Sequence, residues 1–337
     1  MEGDVAGRPQ DHVMLWSGEQ PCDTDGQPLR LGGGADRRVL ADDLVIDRTF
    51  SSKPAGGYPD YYEKMSRYAA TISGPAAVIE PAATAMTYDQ VETADDDSPF
   101  EYIDTSATRA RITAVMDKLR LGRVVVAGCG GTGSYILDLV AKTPIGQIDV
   151  YDGDRFRQHN AFRSPGAPSK DAFRGGPNKA EYFAAIYRAM HRNVVAHPYA
   201  LDADTVGELL GADFVFVAID SGRAKRTIIA KLEELGIPFL DVGMGVSEVG
   251  GFLGGVVRVT TSVPGRPMSE RGRISMADPD PDNDYRVNIQ IADLNALNAA
   301  LAVIRWKKLV GFYRDLANER NTVYTIDGND LINEDAP

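Results

Sequence analysis

Cysteine is nearly absent: the 337 residues hold two, Cys22 and Cys129. Two thiols build neither a disulfide framework nor a paired CxxC zinc site. No apolar run approaches the roughly 20 residues of a membrane span, and the opening MEGDVAGRPQ lacks the basic-then-apolar order of a secretory signal. Basic residues are outnumbered, 36 Lys+Arg against 48 Asp+Glu, for a net charge of −12. General binding to nucleic acid or to an anionic membrane needs clustered Lys and Arg, so both are excluded, while one local basic pocket for a nucleotide is not. The expectation is a soluble, cytoplasmic protein.

What is present is enough to fold. The apolar fraction is 43%, which rules out wholesale disorder, and the length suits one large α/β domain with a smaller companion. Residues 1–35 are rich in Gly, Pro, Asp and Gln and read as a flexible lead-in. Residues 36–104 read as a small accessory N-terminal domain ending in an acidic linker that contains Asp95, Asp96 and Asp97. Within it, DLVIDRTF reads as a strand. Tyr62, Met65, Tyr68 and Ile72 fall at helical spacing, and the row Tyr58, Tyr61, Tyr62, Tyr68 reads as core before interface.

From residue 105 to about 325, strands and helices alternate. A helix over 106–119 leads into RVVVAG, and QIDVYD, DFVFVAID and PFLDVG are further strands. The run DFVFVAID is apolar enough to be buried on both faces, as parallel strands are. The pattern predicts a doubly wound, Rossmann-like fold. After Gly243 the expectation is strands broken by glycine, which make the sheet mixed, then a Pro/Asp-rich loop over about 262–288. The prolines of its DPDPDND stretch spoil the spacing of a calcium loop. A long amphipathic helix over IADLNALNAALAVIRWKKL and a fraying tail, 326–337, complete the chain.

Gly128, Gly130 and Gly133 form GxGxxG between a strand and a helix, a ready anion site, and Gly131 extends it to GCGGTGS. Asp152 ends the next strand, where an acid binds ribose hydroxyls. The default reading of these residues is an NAD-dependent oxidoreductase. Further residues speak for triphosphate chemistry instead. Asp154 follows Asp152 by two, and Asn160 and Arg163, three apart, would face one phosphate group if helical. Lys179 opens another helix, and Asp220 ends the strand FVFVAID with a carboxylate suited to Mg²⁺. His159, His191 and His197 form no metal pattern and read as structural, and Cys129 reads as a small buried hydrophobe.

GCGGTGS, then DxD with NxxR, then the lysine and the strand-ending aspartate, in this order, resemble the ubiquitin-activating enzyme family, which includes ThiF and MoeB. The resemblance covers about residues 107–323. More closely, the chain looks like bacterial ThiF-type proteins expected beside ubiquitin-like proteins, E2-like conjugating proteins and JAB-type peptidases, with FSSKPAGGYPDYYEKMSRYAATI similar to their accessory domain. The resemblance implies ATP- and Mg²⁺-dependent adenylation of the C-terminal carboxylate of a ubiquitin-like protein, for transfer to an E2-like partner, by a homodimer whose long C-terminal helix suits the interface. It assigns Asp152 to the ribose, Asn160, Arg163 and Lys179 to the phosphates, Asp220 to Mg²⁺, and Arg109 or Arg111 to a contact across the dimer. An antiviral role fits such operons by resemblance alone.

The chain departs from that family in two ways. It lacks the paired CxxC motifs of the sulfur-carrier enzymes, so no zinc is expected. It also has no Cys after Cys129, so the crossover loop at 262–288 cannot form a thioester. Either the adenylate passes directly to a partner, or a serine oxyester replaces the thioester, with Ser269, flanked by Arg266, Arg271 and Arg273, as first choice and Ser275 as second. The alternatives are a peptide- or small-molecule-adenylating enzyme, an NAD-dependent oxidoreductase, and a silent scaffold that binds ubiquitin-like proteins.

Overall fold

The computed structural model describes residues 7–41, 44–81, 98–110, 112–277 and 289–334. They fall into two compact units, Met1–Asp89 and Gln90–Pro337. The acidic run at Asp95–Asp97 and the DPDPDND stretch lie outside the described residues.

The first unit is a three-stranded antiparallel sheet with one helix. Strands β1 (Val13–Trp16), β2 (Gly32–Ala41) and β3 (Leu44–Ser51) lie in the order β1-β3-β2. Helix α1 (Tyr61–Ile79) starts at Asp60, whose side chain accepts from Glu63 N, a standard N-cap. Met14, Phe50, Tyr58 and Tyr68 form its small core. The Tyr68 hydroxyl accepts from Ser52 N and donates to His12 O, both at 2.6 Å. Two expectations change here. The segment 1–35 carries β1 and the start of β2, so it is not a structureless lead-in. A four-residue strand is too short to show periodicity and exists through its pairing with β3. The inner face of α1 differs in part: Tyr68 and Ile72 meet the core as expected, whereas Tyr62 and Met65 are exposed and Lys64 is buried, its ammonium 3.2 Å from Asp11. A lysine can lie on the inner face because its alkyl stem packs while its charge finds a carboxylate.

The second unit opens with α2 (Thr105–Arg109) and α3 (Thr113–Met116). The single helix expected over 106–119 is therefore split, in a stretch where β-branched Thr105, Thr108, Ile112 and Thr113 lower helix propensity. Then follow β4 (Arg123–Ala127), α4 (Gly131–Val140), β5 (Gln147–Tyr151), α5 (Gln158–Ala161), α6 (Lys179–Tyr187), β6 (Val194–His197), β7 (Phe214–Val217) and α7 (Gly222–Leu235). Next come β8 (Phe239–Val249), β9 (Phe252–Ser262), α8 (Ala292–Leu309), β10 (Asn321–Thr325) and β11 (Asp330–Glu334). The eight strands lie in the order β11-β10-β9-β8-β7-β4-β5-β6. From β8 to β6 neighbours are parallel, and from β8 to β11 they are antiparallel. The doubly wound, mixed α/β reading is borne out.

The apolar runs of β4 and β7 are buried on both sides, Val124, Val126, Phe216 and Trp306 facing one core and Val125, Val215, Ile228 and Leu232 the other. Glycine does not break β8 and β9 as expected. A Cβ on Gly255 would lie 2.0 Å from Gly245 O, so these glycines let two long strands approach closely. The tail also differs from expectation, since Asp330–Glu334 pairs with β10 as an edge strand. Helix α8 buries Ala299, Ala302, Val303 and Trp306 in the core. No helix among the described residues is long and apolar enough to cross a membrane.

Candidate functional site

Strand β4 has β5 on one side and β7 on the other. Its C-terminal end is the point where connections leave in opposite directions, and open α/β sheets bind ligands in that crevice. The glycine loop follows β4 directly. Gly128 has φ +91°, and a Cβ there would lie 2.4 Å from Ala218 O. A Cβ on Gly133 would lie 2.0 Å from Gly128 O. Only glycine permits this contact of loop, helix and strand.

A cavity of about 660 Å³ opens at this crevice, within the range of small-molecule sites. Its lining brings together Gly128, Gly130, Gly131, Asp152, Asp154, Arg163, Lys179 and Asp220. Asp152 is the hub. Its carboxylate accepts from Cys129 N at 2.7 Å and from Asp154 N at 2.8 Å. Burial raises its pKa above the ordinary value, with Lys179 pulling the other way. Lys179 Nζ lies 2.7 Å from Asp154 and 4.0 Å from Asp152, and Asn178 caps its helix by accepting from Ala180 N. Arg163 Nε is buried with no hydrogen-bond partner among the described residues. Asp220 is an exposed member of the lining. Cys129 is buried, which pushes its thiol well up and keeps it protonated.

Three expected residues stand elsewhere. Asn160 does not line the cavity. It is buried, and its side-chain oxygen accepts from Arg157 N at 2.8 Å, so it locks the turn that carries Arg163. Buried within this turn and off the lining, its amide does not reach into the cavity. Gly133 packs under the loop rather than facing the cavity. Ser269 donates to Glu233 at 2.8 Å and lies off the cavity, whereas Ser275 lines it. The Arg109 side chain and Arg111 lie outside the described residues.

The sequence reading missed Asn295 and Asn298 on α8. Asn295 accepts from Thr132 Oγ1 at 2.8 Å, and Asn298 donates to Gly243 O at 3.0 Å. Two asparagines three apart on an otherwise apolar helix face were the available signal. It also missed Lys225, Asp241 and Arg258, a buried ion cluster in the cavity wall.

The residues fit a nucleoside triphosphate: a strand-ending carboxylate, a glycine-rich turn that opens α4, and an arginine whose buried Nε has no partner among the described residues. Among the described residues no group of three His, Cys, Asp or Glu side chains could hold a metal ion. Mg²⁺ carried on phosphates needs only one or two protein carboxylates, and Asp220 fits that use.

Residues 1–105 match a family described as a domain of unknown function (DUF6791). Ubiquitin-like modifier-activating enzyme 5 of Oryza sativa subsp. japonica is 22% identical over 211 residues, 58% of this chain and 48% of that protein. The chain thus spans about half the length of this curated relative. Among solved structures, E. coli MccB superposes with a TM-score of 0.55 at 18% identity, covering 68% of this chain and 69% of MccB. PaaA superposes with a TM-score of 0.51 at 16% identity, covering 66% and 75%. MccB has also been solved with ATP, at a TM-score of 0.50, 20% identity and 66% coverage of each chain. These structural likenesses show the fold. Residues 105–334 match the ThiF family, and by that match the chain belongs to the ThiF family.

Proposed function

We propose that this chain uses ATP and Mg²⁺ to adenylate the C-terminal carboxylate of a ubiquitin-like protein, for transfer to an E2-like conjugating partner. The observation that carries the reading is the gathering of Asp152, Arg163, Lys179 and Asp220 on one cavity at the switch point of a ThiF-family sheet. The rice relative's name supports a ubiquitin-like substrate. The E. coli MccB structures with ATP and with N-formylated MccA support a site that takes a nucleotide and a second substrate.

The chemistry asks little of the protein. A terminal carboxyl with a pKa of roughly 3.5 is ionised at neutral pH and needs no general base. One carboxylate oxygen bonds to the α-phosphorus as the bond to the bridging oxygen breaks, and pyrophosphate leaves with that electron pair. Asp152 accepts from the ribose hydroxyls. Arg163 and Lys179 neutralise phosphate charge, and the glycine loop presents backbone N–H groups to it. Asp220 would hold Mg²⁺, which when bound would supply charge neutralisation to the phosphates. An acyl-enzyme, where one forms, falls to Ser275 in place of Ser269, because Ser275 faces the cavity.

The test is ATP–pyrophosphate exchange with ubiquitin-like proteins carrying free or blocked C-termini, on wild type and Asp220→Ala. Exchange should require the free C-terminus and fall by about a hundredfold or more in Asp220→Ala. No exchange with any of these proteins, together with nicotinamide binding, would move the weight to an oxidoreductase.

A further inference from the structure

The cavity carries a second charged group that the nucleotide does not use. Lys225 lies one turn into α7, Asp241 on β8 and Arg258 on β9. Lys225 Nζ stands 2.9 Å from one oxygen of Asp241, and Arg258 Nη2 stands 2.7 Å from the other. Asp241 is fully buried and Lys225 is 5% exposed. Arg258 also donates to the hydroxyl of Thr260, which is neutral. Two cations therefore share one carboxylate, and one positive charge is in excess. Lys225 and Arg258 both line the cavity. A buried pair balances its charges, and a second, half-buried cation at the same carboxylate costs free energy unless an anion completes it.

The position of this excess charge says which anion. Arg163, Lys179 and the glycine loop enter the lining from the segments after β4 and β5, and they provide the donors for phosphate. Lys225 and Arg258 enter from α7 and β9, beside Gly243, Gly245 and Val256. The second reactant is the group still without a partner. Its carboxylate must come to bonding distance of an α-phosphate of like charge, and that repulsion has to be neutralised.

We propose that Lys225, Asp241 and Arg258 form a carboxylate socket that binds the terminal carboxylate of the acyl substrate and steers it to the α-phosphate. This rests on the adenylation reading. Asp241 fixes the two cations, and their remaining N–H groups donate to the incoming carboxylate. The socket selects a free C-terminal acid over an amide of the same shape.

The test uses full-length protein loaded with the non-hydrolysable analogue AMPCPP, with N-acetylglycylglycine and its C-terminal amide as probes, by calorimetry. The acid should bind about tenfold tighter than the amide, or more. In Lys225→Met that preference should shrink to about twofold or less, with AMPCPP affinity held within about twofold. Lys225→Met leaves Asp241 paired with Arg258, a balanced pair, so the fold should stand. Arg258→Gln reads the same effect through the other cation, and Lys225→Arg should keep the preference. Equal binding of acid and amide to wild type, or none of either, overturns the socket, as does an acid preference that survives in Lys225→Met. A loss of about tenfold or more in AMPCPP affinity in Lys225→Met also overturns it, because the lysine would then serve the nucleotide. Failure of wild type to bind AMPCPP at all is a different result: it removes the adenylation reading itself.

Discussion

The amide of Asn295 lies against the backbone of Gly131: a Cβ on Gly131 would stand 2.2 Å from Asn295 Nδ2. The same amide accepts from Thr132 Oγ1 at 2.8 Å and donates to the Arg163 carbonyl at 3.2 Å. One buried side chain from α8 thus joins the glycine loop to the loop that carries Arg163.

Gly131→Ala should break this joint. The new methyl displaces Asn295, and overpacking of this kind destabilises by about 1–3 kcal/mol. Urea unfolding should show the loss, and AMPCPP affinity should fall with it. An unchanged midpoint would mean that the helix and loop are not coupled as described.

Asp152→Asn should weaken AMPCPP binding by about ten- to a hundredfold, the worth of charge-assisted hydrogen bonds. Burial raises the Asp152 pKa in the fold, so its contribution to stability is present at low pH and lost as pH rises through the raised value. Binding runs the other way, because the ribose needs the carboxylate. Affinity should therefore fall as pH drops, beginning above the 3.8 of an ordinary aspartate, and this fall should be absent in Asp152→Asn.

His191 should destabilise the fold in acid. It is fully buried; its Nε2 donates to Ile145 O at 2.9 Å and its Nδ1 accepts from Asn193 N at 3.3 Å. Both ring nitrogens are used in the neutral form, and burial holds the pKa below 6.5. Its stabilising contribution is present above the unfolded value and is lost as pH falls through the depressed one. A pH series of urea midpoints should steepen below about 6.5, and less so in His191→Gln.

Asp241→Asn removes the carboxylate that Lys225 and Arg258 share. Breaking a buried pair from one side typically destabilises by about 3–5 kcal/mol. Adding Lys225→Met to it should recover part of the loss, so the two changes should not add. Calorimetric unfolding of the three variants checks this.

Local signals were legible. The runs of β4 and β7 show as uninterrupted apolar stretches because both faces are buried, and the glycine loop with Asp152 shows because neighbours in sequence are neighbours in space there. Asn160 and Ser269 were not legible in the same way. Side-chain type tells that Asn160 can bond a phosphate or a backbone N–H, and only the fold, which buries it in the turn at Arg157 and off the cavity lining, decides between them. For Ser269 and Ser275, six residues apart in one loop, the path of the backbone decides which hydroxyl meets the cavity.

By itself the sequence determined one half of this protein: the central strands, the glycine-rich turn and the strand-ending Asp152 all lie within short windows. Tertiary structure alone decided the other half. Asn295, Lys225, Asp241 and Arg258 come from four different elements, and β1 and β11 are strands through their partners' edges. Their roles depend on contacts closed by long-range packing, and no local propensity or spacing carries that information.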